Sequence, residues 1–173
     1  MRGEQQARRK TDVRRAMLDQ LSLMADEAEA LGSLLGAMPD DFLFGRPVDG
    51  MPSIADLLSG IVQRDGTVRQ ENLSAFRSGG DLASEQVLEP PDSSDASITD
   101  ILEDLRAHRL KLVALAEAVA EGHWDRSASL DGQPVTLLEY LSTVVQTDAA
   151  ALRQIAERVF ESRPMGSPGL SRH

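Results

Sequence analysis

Four stretches of the sequence repeat apolar residues every three or four positions, and this spacing matches one face of an α-helix. The stretches run over residues 11–36, 53–79, 97–122 and 136–162. Three of them open with a hydroxyl residue and an acid three positions later, the pattern of a capping box. These pairs are Ser53 with Asp56, Ser97 with Asp100, and Thr136 with Glu139. The sequence therefore predicts four helices that bury their apolar faces against one another.

The connections between these helices predict the topology of the bundle. The link between the second and third helices, residues 78–96, is long and rich in Gly, Pro, Ser and acidic residues, as a surface crossing would be. Antiparallel neighbours need only short loops, whereas parallel neighbours need such a crossing. We predict an all-α, up-down-down-up four-helix bundle over residues 11–162. A basic N-terminal arm at 1–10 precedes it, and a disordered tail at 163–173 follows.

Composition narrows the functional classes. The 173 residues include no cysteine, so neither a disulfide nor a thiolate metal ligand is available. The net charge is −10, which disfavours broad contact with nucleic acid or an anionic membrane, although residues 1–15 carry six basic side chains against Glu4 and Asp12. That arm could touch phosphate, but a solvated N-terminus is the favoured interpretation. With no secretory signal and no membrane-spanning run, we expect a soluble, cytoplasmic protein.

Three ionisable residues interrupt the apolar stripes near the middle of their helices: Asp65, His108 and Asp148. At about 100° per residue, each lies within about 20° of the centre of its stripe, so we expect the three to face one another. They could bind a metal ion or act in catalysis, or they could form a closed hydrogen-bond network, which is the favoured interpretation. An arginine reaching either aspartate would support the network, and four are near in sequence: Arg64, Arg69, Arg106 and Arg109.

The remaining candidates are weaker as functional residues. His123 lies at a helix exit, where capping of carbonyl groups is the favoured role. Trp124 and Tyr140 are interpreted as core or dimer contacts rather than pocket walls. Phe42 and Phe44 are expected to pack over the end of the bundle.

Two stretches resemble the DinB-like, or DinB/YfiT, helical bundles: DGMPSIADLLSGIVQRDGTVR and HWDRSASLDGQPVTLLEYLSTVVQTDAAALRQIAERV. The resemblance spans about residues 12 to 160, and Trp124, Asp125, Gln154 and Ile155 match family positions. The family places one histidine in the second helix and a His-x-x-x-His pair in the last. The matching positions here are Gly60, Thr147 and Ala151, so all three metal ligands of the family are replaced.

The resemblance implies metal-dependent thiol transfer or hydrolysis, and a homodimer, but the three replacements argue against carrying the activity over. Glycine and alanine have no side-chain donor, and a neutral threonine hydroxyl is a poor ligand for nickel or zinc. We predict no cofactor and a non-catalytic, stress-associated protein that binds a small molecule or a protein partner. The alternative is a divergent metal-dependent thiol transferase or hydrolase rebuilt around Asp65, His108 and Asp148.

Overall fold

The computed structural model describes residues 2–48, 50–85 and 96–162. The bundle has four helical rods, one of them broken into two helices, and a short helix packs against it. In chain order the α-helices are α1 (Arg2–Leu35), the short α2 (Asp40–Phe44), α3 (Ile54–Gly66) and α4 (Val68–Ser78), which form the broken rod, α5 (Ile98–Glu117) and α6 (Leu137–Glu161). The predicted all-α class is confirmed. The predicted disordered tail at 163–173 lies outside the described residues, as does the middle of the crossing between α4 and α5.

The three predicted capping boxes start α3, α5 and α6. At α3, Ser53 Oγ accepts the amide hydrogen of Asp56 at 2.9 Å, and the Asp56 carboxylate accepts the amide hydrogen of Ser53 at 2.8 Å. The same reciprocal pair is present at the starts of α5 and α6. Each box satisfies amide groups that have no partner inside the helix, so it fixes where the helix begins.

Two helix boundaries differ from the prediction. The first helix begins at Arg2 rather than near Thr11, so the basic segment continues α1 instead of forming a separate arm. The predicted second helix is two helices, because Thr67 leaves helical geometry with φ −125° and ψ −97°. The Thr67 hydroxyl donates to the carbonyl of Gln63 at 2.7 Å, and the side-chain amide of Gln70 donates to the backbone carbonyl of Asp65 at 2.8 Å. Side chains therefore supply hydrogen bonds to carbonyl groups at the break.

A β-hairpin between α5 and α6 was not predicted. Strand β1 (Ser127–Leu130) pairs antiparallel with β2 (Gln133–Thr136), and Leu130 lies opposite Gln133. Asp131 and Gly132 turn between the strands with φ of 51° and 77°, and an Asp-Gly pair with two positive φ values is the preferred two-residue hairpin turn. The amide of Leu82 donates to the carbonyl of Ser129 at 2.8 Å, so the hairpin holds the first part of the crossing.

Two apolar clusters fill the bundle, one toward each end. The first includes Leu21, Leu73, Leu112 and Leu141, and the second draws on the other ends of the same long helices and on α3. The sequence order of these contacts shows that α3, α4 and α5 run in one direction, and that α1 and α6 run in the other. The structure therefore has the predicted up-down-down-up topology. None of the described helices is long and apolar enough to cross a membrane.

Candidate functional site

A layer of buried charge separates the two apolar clusters. It contains Asp65 at the end of α3, Arg69 in the first turn of α4, Arg109 in α5 and Asp148 in α6, each no more than 1% exposed. Buried charges are costly unless they are paired and hydrogen-bonded. The contacts of each guanidinium and each carboxylate therefore decide what the layer can do.

Arg69 is the centre of the layer. Its Nη1 donates to Asp65 Oδ1 and to Asp148 Oδ2, both at 2.7 Å, and its Nη2 donates to Asp148 Oδ1 at 2.9 Å. Its other edge faces Glu85, with Nε at 3.0 Å from Oε1 and Nη2 at 2.9 Å from Oε2. All five N–H groups of this guanidinium thus donate to carboxylate oxygens. Asp148 and Glu85 each accept two of these hydrogen bonds, in the paired geometry that arginine favours, and Asp65 accepts one.

Arg109 completes the pairing of the two aspartates. Its Nε donates to Asp65 Oδ2 at 2.8 Å and its Nη2 donates to Asp148 Oδ2. As a result, every carboxylate oxygen of Asp65 and Asp148 accepts a hydrogen bond from a guanidinium. The Nη1 of Arg109 donates to the thioether sulfur of Met24 at 3.5 Å, its one acceptor among the described residues.

Polar groups at the edge of the layer continue the network toward the surface. Tyr140 donates its hydroxyl hydrogen to Glu85 Oε1 at 3.1 Å, and the Asn72 side-chain amide donates to the Tyr140 hydroxyl oxygen at 3.1 Å. Arg64 lies 3.6 Å from Glu85 and 3.7 Å from Asp148, measured from its nearest nitrogen. Counting this outer shell, three arginines face three carboxylates, so the layer is electrically neutral.

The pKa values of the two aspartates shift in opposite directions. Burial raises the pKa of Asp65 above its usual value, although Arg109 and Arg69 oppose the shift. Burial acts on Asp148 in the same sense, but Arg69 and Arg109 outweigh it and lower the pKa of that carboxyl. The difference follows from geometry, because Asp148 accepts three guanidinium hydrogen bonds and Asp65 accepts two.

The structure brings together two of the three predicted layer residues and corrects the third. Asp65 and Asp148 share the same two arginines, as the network interpretation requires. His108 was expected to face them, and this is wrong, because its inward neighbour Arg109 takes that place. The His108 ring is half-buried over Gly66, where a Cβ atom would lie 3.1 Å from its Cε1. Of the four arginines named from sequence, Arg106 remains outside, paired with exposed Glu29.

A metal ion does not fit this layer. The carboxylate oxygens that would bind a cation already accept from guanidinium groups, and a cation placed among them would meet two buried positive charges. The three positions matched to family ligands offer no replacement: Gly60 and Ala151 are half-buried and have no donor atom, and Thr147 is exposed. Over residues 2–48, 50–85 and 96–162, no group of three or more His, Asp or Glu side chains is placed to hold a metal.

The aromatic candidates belong to the cores, as interpreted from sequence. Trp124 and Tyr140 are buried in the first cluster, and Phe42 and Phe44 pack against the second. Arg14 lies over the ring of Trp124, 5.3 Å from its centroid, and ties α1 to the chain after α5. His123 ends a short 3-10 helix at Glu121–His123 and is half-buried. Neither histidine of the described chain is bonded to the layer.

A groove of about 500 Å³ lies between α1 and α6, on the side of the bundle where Arg109 Nη1 meets Met24. Leu23, Met24 and Leu31 line it from α1, and Ala149 and Leu152 line it from α6. It exists because α1 packs mainly against α5, and α3 also packs against α5, which leaves α1 and α6 more loosely joined. Sequence periodicity could not reveal the groove. Half-exposed Leu23 lies on the same helix as buried apolar residues such as Leu21, and helical spacing alone does not separate a groove wall from the core.

The comparisons with known proteins support the fold. No protein-family model and no curated protein matches the sequence. Among solved structures, the chain resembles YfiT from Bacillus subtilis, described as "a probable metal-dependent hydrolase with an unusual four-helix bundle topology". The TM-score is 0.71, the sequence identity is 15%, and the match covers 86% of each chain. This chain therefore has the YfiT-like four-helix bundle fold.

Proposed function

We propose that this protein is a non-catalytic YfiT-like bundle that binds a small, neutral, mainly apolar molecule in the groove between α1 and α6. The observation that carries the proposal is the groove itself. Its volume of about 500 Å³ lies within the range of small-molecule sites, roughly 300–1,000 Å³. A protein partner generally uses a flatter and larger surface, so the concave shape favours the small molecule.

The lining of the groove defines the chemistry of its occupant. Leucine, methionine, alanine and valine side chains supply most of the wall, and the polar side chains Gln20, Glu27 and Arg153 are the exceptions. Arg109 Nη1 lies behind Met24 with a thioether as its acceptor, and sulfur is a weak acceptor. A carbonyl or ether oxygen of a ligand is a better acceptor, so an occupant that displaces Met24 gains a hydrogen bond from a buried guanidinium.

The charge of the layer favours a neutral occupant over an anion. The three arginines and three carboxylates balance, so an added anion would leave excess negative charge beside Asp65 and Asp148, both 0% exposed. Such an excess is expensive in the low dielectric of a protein interior. We expect ketones, esters or amides with apolar bodies to bind more tightly than carboxylic acids of the same size.

Binding is tested by titrating the protein with 1-aminoanthracene, a neutral fluorescent probe, and then displacing it with apolar ketones and the matching acids. Ala149→Phe places a ring in the groove and should weaken probe binding at least tenfold. Ala150→Phe is the matched control, because Ala150 is exposed on the same helix outside the groove. Equal binding by both variants, or no binding by the wild type, would refute the proposal.

The alternative function is a divergent metal-dependent thiol transferase or hydrolase with a rebuilt Asp/His centre, and the description of YfiT as a probable hydrolase favours it. The engagement of Asp65 and Asp148 by arginine opposes it. Elemental analysis after exposure to nickel, zinc and manganese separates the two. A stoichiometric metal that is lost in Asp65→Asn would establish a rebuilt metal centre and justify a search for its substrate.

A homodimer, a cytoplasmic location and a role in stress remain part of the proposal. The family resemblance supports the dimer and the stress role, and a sequence without cysteine is compatible with the location. Sedimentation velocity at micromolar concentration tests the first. If the protein is a dimer that Ala149→Phe dissociates and Ala150→Phe does not, the groove holds a second copy of the chain, and the small-molecule proposal fails.

A further inference from the structure

Glu85 differs from the other carboxylates of the charged layer because its side chain reaches solvent. It is 20% exposed, whereas the side chains of Asp65 and Asp148 are 0% exposed. It also lies on the crossing after α4 rather than on a helix of the bundle. Glu85 is therefore the one carboxylate among these three that can exchange with a group from outside without opening the core.

The groups that hold Glu85 form a receptor for one carboxylate. Arg69 donates to both of its oxygens, through Nε at 3.0 Å and Nη2 at 2.9 Å, and Tyr140 donates to Oε1 at 3.1 Å. A planar guanidinium opposite the two oxygens of a carboxylate is the geometry by which arginine recognises carboxylic acids. Arg69 is 0% exposed and locked by the aspartates, so this receptor is rigid before any ligand arrives.

The Glu85 carboxylate does not satisfy every hydrogen-bond donor of this receptor. The Nε of Arg64 is buried without a hydrogen-bond partner in the described part of the chain, and it lies 3.6 Å from Glu85 Oε2. A buried donor of this kind destabilises the structure when it stays unsatisfied. A carboxylate that is not tethered to the backbone can shift toward Arg64 and accept from it as well.

The backbone before Glu85 is held in place, so only its side chain must turn. The amide of Leu82 donates to Ser129, and Asn72 both donates to the carbonyl and accepts from the amide of Ala83, at 2.9 and 2.8 Å. Replacing the Glu85 carboxylate with another monoanionic carboxylate leaves three negative and three positive charges. A phosphate dianion would disturb that balance, so the chemistry favours a carboxylic acid.

We propose that Arg64, Arg69 and Tyr140 form a carboxylate-binding site that Glu85 occupies, and that a small organic acid binds there when the Glu85 side chain turns outward. Glu85 is a tethered competitor, so it lowers the apparent affinity for a free acid by the fraction of time that it occupies the site. This site faces the crossing, and its ligand differs in charge from the one proposed for the groove.

The test is chemical rescue of Glu85→Ala with acetate and formate, followed by the thermal unfolding midpoint. We expect a saturable rise in the midpoint with acetate or formate, and none with equal concentrations of acetamide or sodium chloride. Glu85→Gln retains a weaker occupant, so its half-saturating acetate concentration should lie between those of Glu85→Ala and the wild type. The wild type should require at least about tenfold more acetate than Glu85→Ala.

Glu29→Ala provides the matched control, because Glu29 is an exposed acid paired with the exposed Arg106 at 3.5 Å. It should respond to acetate as the wild type does. If Glu85→Ala folds only when acetate or formate is present, and not with acetamide, that result also supports the site. The proposal is overturned if neither Glu85 variant gains acetate-specific stability, or if the wild type saturates at the same concentration as Glu85→Ala.

Discussion

Replacing Asp148 with asparagine tests whether the buried layer is the structural centre of this fold. Asp148 accepts hydrogen bonds from Arg69 Nη1, Arg69 Nη2 and Arg109 Nη2. Asparagine has the same shape, but it removes one negative charge and turns an NH₂ group toward guanidinium donors. Leaving a buried charge without its partner costs about 3–5 kcal/mol. Asp148→Asn should therefore lose about 4 kcal/mol of unfolding free energy. This is a large part of the total, because small domains are stable by about 5–15 kcal/mol.

Urea unfolding at neutral pH measures this loss, followed by far-ultraviolet circular dichroism and by the fluorescence of Trp124, the single tryptophan. Coincidence of the two transitions supports two-state analysis. The control is Asp104→Asn, because Asp104 is exposed on α5 and has no ion pair with the described residues. An exposed substitution of this kind should change the unfolding free energy by no more than about 0.5 kcal/mol.

Charge balance supplies a second and stricter test. Arg109→Met removes one positive charge from the layer, so the double variant Asp148→Asn with Arg109→Met has two arginines facing Asp65 and Glu85 and is neutral again. We expect its loss to be smaller than the sum of the two single losses by about 1–3 kcal/mol. An Asp148→Asn protein within about 1 kcal/mol of the wild type, or strictly additive single losses, would refute the reasoning.

Two further predictions concern the cap and the hairpin. Asp56→Asn should cost about 1 kcal/mol at neutral pH. Burial acts to raise the pKa of Asp56, but hydrogen bonds from Ser53 and Arg46 outweigh it and lower the pKa, so this stability is present above the unfolded value and is lost as pH falls through the folded pKa. Unfolding midpoints of wild type and variant should converge below about pH 4, and a constant gap would contradict this. Gly132→Ala should cost about 1 kcal/mol in urea unfolding because φ is +77°, whereas Gly122→Ala, with open space around it, should cost less.

The helices and their winding could be predicted because their signals are local. A capping box such as Ser97 with Asp100 marks a helix start within four residues, and the apolar period marks the buried face. The order of directions then follows from the length of one connection. The hairpin also had a local signal, the Asp131-Gly132 turn, but the strands beside it are too short and too exposed to form an apolar pattern.

The identity of the buried layer was harder to predict, because sequence rules treat arginine as a surface residue. Both His108 and Arg109 fit between Leu105 and Leu112 in the helical period. Leu102 and Val113 are also buried, and their positions place Arg109 rather than His108 on the inward face of α5. Which of the two residues faces inward depends on how α5 packs against the other helices. The placement of Glu85 depends on contacts with Arg69 and Tyr140, which are distant in sequence, so the carboxylate site has no continuous sequence pattern.

The neutrality of the charged layer has a consequence for the history of the sequence. A single replacement of Arg69, Arg109, Asp65 or Asp148 by a neutral residue leaves the buried layer with one unbalanced charge, and selection should remove it before a compensating change can arise. Descendants of this chain should therefore keep the four residues as a set or exchange several of them at once for apolar side chains. The four positions should co-vary among relatives more strongly than neighbouring core leucines, even across lineages in which the ligand of the bundle has changed.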